Sequence, residues 1–158
     1  MAETERNDFV RVDGAHLLIV AARYYPDIVD ALIEGATEAI IEAGGTSRAI
    51  EVSGALEIPG AIAAVSGATE GFDGFVALGC VIRGETSHYD TVCNESARAI
   101  MDLTLSGLSI GNGILTVENE NQAKARAEVG GRNKGAEAAR AALGMIDLRR
   151  RLVADGAP

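Results

Sequence analysis

Short apolar runs alternate with amphipathic, helix-length segments along the whole chain, and that beat confines it to folds built from βαβ crossovers. His16–Ala22 (HLLIVAA) and Phe75–Ile82 (FVALGCVI) are continuously apolar, as strands buried on both faces must be. Ser47–Val52 and Leu108–Val117 complete the set of predicted strands. After the first run, Ile28, Leu32, Ala36 and Ile40, with Val29 and Ile33 beside them, keep one helical face apolar. Pro26 suits the opening turn of that helix, and Gly44-Gly45 stops it. Further helices are expected over Gly60–Thr69, His88–Ser106, Asn119–Glu128, and from Asn133 or Lys134 to about Leu152. Strands alternating with helices give a single α/β domain spanning 1–158, a three-layer α/β/α sandwich with a four-stranded parallel sheet covered on both faces. The polar, acidic residues 1–10 are expected to form a flexible arm.

Composition narrows the function classes. Lys plus Arg number 14 against 23 Asp plus Glu, a net charge of −9, which disfavours a nucleic-acid partner needing a basic patch. At 47% hydrophobic residues the 158-residue chain can bury a core. No apolar run reaches the ~18 residues that span a membrane. The first eight residues do not resemble a signal or transit peptide, so the cytoplasm is the expected location. Cys80 and Cys93 lie thirteen apart with no metal-ligand spacing and read as two buried thiols. No GxGxxG, GxxxxGK[ST] or GxSxG motif occurs, which argues against dehydrogenase, P-loop hydrolase and esterase chemistry.

In parallel α/β sheets, ligands bind beyond the carboxyl ends of the strands, so the informative loops begin at Arg23, Ser53, Arg83 and Glu118. The loop Arg83-Gly84-Glu85-Thr86-Ser87-His88 is the richest. Its amides stand at a helix N-terminus, where unpaired N–H groups and the helix dipole can hold a phosphate, and Gly84 permits close approach. Thr86 or Ser87 can equally serve as a plain N-cap. His88 can move protons at neutral pH, or simply bond a neighbour such as Asp90. His16, at a strand start, looks structural. Glu57 can accept hydroxyls of a polyol chain or merely complement the helix dipole. Tyr24 can stack on a planar ring or pack as any surface tyrosine. Arg126, Arg132 and Lys134 can add cations to a phosphate site or remain solvated. Arg149-Arg150-Arg151 reads as a solvated face near the end of the last helix.

These loops resemble one family. Ala22-Arg23-Tyr24, Val52–Pro59, Leu78–Asp90, Val92–Glu95, Gly113–Asn119 and Arg132–Ala139 resemble the motifs of lumazine synthases, in the family's order and spacing, with GALEIPGA and VIRGETSHYD the most specific. The resemblance implies a flavodoxin-like fold and a step of riboflavin biosynthesis without cofactor or metal. In that step 5-amino-6-(D-ribitylamino)uracil condenses with 3,4-dihydroxy-2-butanone 4-phosphate, releasing phosphate and water. It implies that His88 transfers protons, that Glu85, Thr86 and Arg126 hold the phosphate, and that Tyr24 stacks on the pyrimidine. It places Ala55, Leu56 and Glu57 at the ribityl chain, and Cys80, Val81 and Ile82 against the pyrimidine through main chain. Lys134 matches a recurring lysine grouped with the phosphate ligands. A homopentamer with sites between subunits is implied, in some members built into decamers or icosahedral shells, with riboflavin synthase as a candidate partner.

This chain departs from the family pattern at three positions. Asn112 replaces a phenylalanine that the neighbouring subunit commonly supplies, Leu56 stands where many members have phenylalanine, and Gly130 replaces a frequent lysine. A thinner aromatic sandwich implies weaker pyrimidine binding. Asn112 and Leu56 also leave open the alternative of a low-activity flavin- or lumazine-binding or scaffold paralogue. A generic flavodoxin-like FMN protein fits less well, because Arg23-Tyr24-Tyr25-Pro26 stands where such proteins carry a Ser/Thr-rich phosphate loop.

Overall fold

The computed structural model describes residues 10–68 and 71–156. Strands β1 (His16–Ala22), β2 (Thr46–Val52), β3 (Gly74–Ile82) and β4 (Ile110–Val117) form one parallel sheet in the order β2-β1-β3-β4. Helices α1 (Pro26–Glu42), α4 (Glu120–Ala127) and α5 (Lys134–Ala154) cover one face, and α2 (Ile58–Ala68) and α3 (His88–Leu105) the other. Right-handed crossovers place α1 on one face and α2 and α3 on the other once the chain steps from β1 out to β2 and then back to β3 and β4, and α4 and α5 join α1 after the last strand. The expected three-layer α/β/α architecture with four parallel strands is the observed one.

Side-chain alternation along β1 and β3 feeds two cores. Leu17, Ile19, Val76 and Leu78 pack with Leu32, Ile40 and Leu143 of α1 and α5. Leu18, Val20, Phe75 and Ala77 pack with Ile58, Ile62 and Ile100 of α2 and α3. With few aromatic side chains to fill space, the helices come close together. A methyl group at Gly135 of α5 would lie 2.8 Å from the carbonyl carbon of Leu32 in α1, with the carbonyl oxygen nearer still. The sheet is not covered evenly, however. No residue of the edge strand β2 is fully buried, and Asn112 and Thr116 of the other edge strand, β4, stand exposed. An edge strand has a neighbour on one side only, and here the helices cover it only in part.

The element boundaries depart from expectation in small, explicable ways. The second helix begins at Ile58 instead of Gly60, because Ala55–Glu57 coil into a 3-10 turn that runs directly into it. Its expected end at Thr69 lies outside the described residues. β4 starts at Ile110 because Leu108 still donates its N–H to the Leu103 carbonyl, after a turn at Gly107 with φ +108°. Asn133 caps α5 from a left-handed conformation, its side chain accepting from the Ala136 N–H. Of the expected arm, 1–9 lie outside the described residues, and Val10 packs against the core.

His16 is structural, as expected: Nδ1 lies 2.7 Å from Thr46 Oγ1 and the ring stacks on Phe72. The Arg149–Arg151 run is not simply a solvated face. Arg149 donates to the Gly107 carbonyl, Arg150 to the Asp13 carbonyl at 2.8 Å, and Arg151 to Asp147 at 2.9 Å. Arg149 and Arg150 are long enough to reach carbonyls just before β4 and β1, so they fasten α5 to the amino ends of the strands, while Arg151 pairs within α5.

Candidate active site

The carboxyl ends of β1, β2 and β3 bring one group of the expected residues together. Tyr24 follows β1, is 74% exposed, and meets Tyr25 edge to face at 5.0 Å. The 3-10 turn after β2 presents Leu56 and Glu57 outward while Ala55 is buried beneath them. The Glu57 N–H donates to the Gly54 carbonyl, which fixes the turn. Cys80 is buried at the end of β3, with Val81 and Ile82 half-buried beyond it. Burial pushes the Cys80 thiol up to about 11, so it stays neutral at ordinary pH. Cys93 is half-buried rather than fully buried, and both thiols are free.

The loop after β3 is open. Glu85, Thr86, Ser87 and His88 are all exposed. The amides of Glu85, Thr86 and Ser87 meet no hydrogen-bond acceptor among the described residues. These unpaired N–H groups stand at the start of an 18-residue helix, where the helix dipole adds positive potential. Thr86 is the residue that caps: its Oγ1 accepts the His88 N–H at 3.3 Å, whereas Ser87 makes no side-chain cap. Asp90 does not hold the His88 ring. Its carboxylate faces Arg83 at 3.8 Å instead, and nothing among the described residues hydrogen-bonds the imidazole.

A second group gathers elsewhere. Asn112, Arg126 and Lys134 line one cleft of about 310 Å³ along the free edge of β4, together with Thr116 and Glu137. None of Tyr24, Glu57, Glu85, Thr86 or His88 lines it. The division follows from topology: α4 and α5 lie on the face opposite α2 and α3. Lys134 is paired with Glu137 at 2.6 Å and Arg126 donates to the Gln122 carbonyl at 3.1 Å, so both cations are half-buried and held in place rather than free in solvent. Arg132, by contrast, is exposed and lines no part of this cleft. Asn112 bends back on its own strand, its Oδ1 accepting the Ile114 N–H at 3.0 Å.

Two further arginines frame the loops and were not singled out as site residues from sequence. Arg23 forks onto Asp30 at 2.8 and 3.0 Å and reaches Glu51 at 3.5 Å. Arg83 places Nε 2.9 and 3.1 Å from the two Glu118 oxygens and its guanidinium 4.2 Å from the centre of the Tyr89 ring. The signal for both was an arginine set directly after an apolar strand, with a glutamate at the end of another strand. Among the described residues no group of three or more His, Cys, Asp and Glu is arranged to hold a metal ion, and no helix is long and apolar enough to cross a membrane.

The family model described as 6,7-dimethyl-8-ribityllumazine synthase matches residues 14–150. The chain is 57% identical over 150 residues to "6,7-dimethyl-8-ribityllumazine synthase 1" of Rhizobium meliloti, covering 92% of this chain and 98% of that one. It is 62% identical over 143 residues to the 6,7-dimethyl-8-ribityllumazine synthase of Agrobacterium fabrum, covering 87% and 96%. A Zymomonas mobilis protein of the same name is 56% identical over 138 residues, covering 87% and 99%. Matched by that model over residues 14–150, and by such relatives along most of its length, the chain belongs to the 6,7-dimethyl-8-ribityllumazine synthase family.

Proposed function

We propose that the chain condenses 5-amino-6-(D-ribitylamino)uracil with 3,4-dihydroxy-2-butanone 4-phosphate at the carboxyl ends of β1, β2 and β3. The activity is that of a lumazine synthase in riboflavin biosynthesis. One observation carries the site assignment: the Gly84–His88 loop combines unpaired amides with an exposed imidazole that has no partner among the described residues. The amides of Glu85, Thr86 and Ser87 receive the phosphate of the butanone. His88, adjacent to it, relays protons as the amine adds to the ketone, as the Schiff base forms and as phosphate leaves. Charge grows on the phosphate as its bond breaks, so donors already aimed at it favour that step. Tyr24 stacks on the pyrimidine, Glu57 accepts ribityl hydroxyls with Ala55 and Leu56 alongside, and the main chain of Cys80–Ile82 meets the ring. Holding both reactants in one orientation makes the addition effectively unimolecular, worth roughly 7–11 kcal/mol at best.

Arg126 and Lys134 complete the phosphate site, and Asn112 closes the ring site, from a neighbouring subunit. The support is their own cleft on the β4 edge, separate from the residues around His88. A cytoplasmic homopentamer with shared sites is the proposed assembly. Riboflavin synthase, which would consume the lumazine, is the proposed partner.

The test is product absorbance on mixing the two substrates with parent, His88→Ala and Arg126→Ala proteins. His88→Ala lowers kcat by about 10²–10⁴, the usual worth of a positioned acid–base group, and Arg126→Ala raises KM for the butanone phosphate. Background turnover by an intact parent oligomer would instead mean a ligand-binding protein, and parent rates in both variants would remove the site assignment.

A further inference from the structure

We infer that Arg83 is a positioning residue: through Glu118, Tyr89 and Asp90 it holds the first turn of α3, and with it His88, in register with the strand ends. The inference rests on the proton-transfer role of His88. With no partner to orient its ring, His88 takes its place from the backbone of the turn that carries it. That turn is weakly held by its own cap, since Ser87 makes no side-chain cap and the Thr86 oxygen sits 3.3 Å from the His88 nitrogen.

Arg83 supplies the missing constraint. Its backbone N–H donates to the Val117 carbonyl at 2.9 Å, and its side-chain Nε reaches both oxygens of Glu118, the residue after β4, which ties the end of β3 to the end of β4 a second time. The other side of the guanidinium covers the Tyr89 ring at 4.2 Å and faces Asp90 at 3.8 Å, the two residues that follow His88. One planar group thus joins two strand ends and the first helical turn. A lysine, as a point charge, cannot reproduce the fork and the ring contact together. The side chains of Arg83 and Glu118 are 43% and 58% exposed, so their ion pair adds little to global stability. Its consequence is geometric. A displacement of about 1 Å of a reacting group can cost 10²-fold in rate.

Steady-state kinetics on the assembled enzyme test this with Arg83→Ala, Glu118→Gln, His88→Ala and the double variant Arg83→Ala/His88→Ala. Arg83→Ala is expected to lower kcat about 10- to 100-fold while KM for the ribitylaminouracil stays within twofold. Glu118→Gln, which removes the charge and one of the two acceptors from the far side, shifts kcat in the same direction and keeps the test available should Arg83→Ala fail to assemble. In the His88→Ala background, Arg83→Ala lowers kcat less than twofold, because a residue acting through His88 has nothing left to position. Parent kcat in both Arg83→Ala and Glu118→Gln overturns the proposal, as does a full additional loss in the double variant. So does a loss confined to KM for the butanone phosphate, which would make Arg83 a phosphate ligand. Parent kcat in His88→Ala is a different failure, since it removes the role of His88 itself and this inference with it.

Discussion

Gly135→Ala tests whether the close approach of α1 and α5 sets the geometry beneath the β4 cleft. Gly135 is the second residue of α5 and follows Lys134. On helix propensity alone, replacing glycine with alanine in a helix stabilises by about 1 kcal/mol. Here the added methyl would sit 2.8 and 2.9 Å from the carbonyl carbon and Cα of Leu32, distances that Cβ atoms essentially never show. The obstacle is backbone, so no side chain can rotate away and the helices must part. Overpacking of this kind costs typically 1–3 kcal/mol, and the rigidity of the obstacle places this case near the top of that range. The net effect is a loss of about 2 kcal/mol, or roughly 4–8 °C in Tm for a domain of this size. Gly144 provides the control within the same helix: a methyl there meets nothing within 4 Å. Gly144→Ala therefore raises Tm by roughly 2–4 °C. Calorimetry at one fixed protein concentration is the assay, because assembly contributes to apparent stability. Shifts of the same sign in the two variants, or an unchanged Tm for Gly135→Ala, would refute the reasoning.

Asn112→Phe restores an aromatic face where this chain has a self-bonded amide, and lowers KM for the pyrimidine substrate by about two- to tenfold, the worth of one aromatic stack; an unchanged KM in steady-state kinetics would show that Asn112 does not border the ring. Burial lifts the Cys80 thiol from an ordinary value of 9.0 to about 11, so its contribution to stability is fully present below pH 9 and is lost as the pH rises toward 11. Chemical denaturation across that window shows a smaller decline for Cys80→Ala than for the parent, and identical slopes would mean the thiol is not buried as described.

The parallel sheet was legible because two short, continuously apolar runs bounded by turn residues alternate with helix-length amphipathic segments. HLLIVAA and the apolar run up to Ile82 could not lie in exposed loops, and Pro26 and Gly44-Gly45 punctuate the helix between β1 and β2 on either side. Gly44 carries φ +87°, the conformation that made a glycine stop readable. Local chemistry was legible for the same reason: once strand ends are known, the loops that follow them are candidate site loops. Distant pairing was less so. Ala55–Glu57 read as loop because three residues cannot show a helical period. The arginines near the C-terminus read as solvated because nothing local says that Arg150 reaches the carbonyl of Asp13, 137 positions away.

The two-part arrangement of the site follows from that same limit. Chain order places Arg126 only eight residues after Glu118, close to the strand ends, and a linear reading groups it with His88. Topology separates them. α3 begins on one face of the sheet and α4 on the other, with β4 as the edge between them, so residues adjacent in motif diagrams open toward different sides of the molecule. A single copy of the chain therefore carries the loop of open amides in one place and Arg126 and Lys134 in another. If two copies supply the halves of each site, activity must depend on assembly as well as on folding. Mixing His88→Ala with Arg126→Ala subunits under exchange conditions then restores turnover, since some interfaces receive both parent halves. Mixtures no more active than either variant alone would mean that each chain completes its own site.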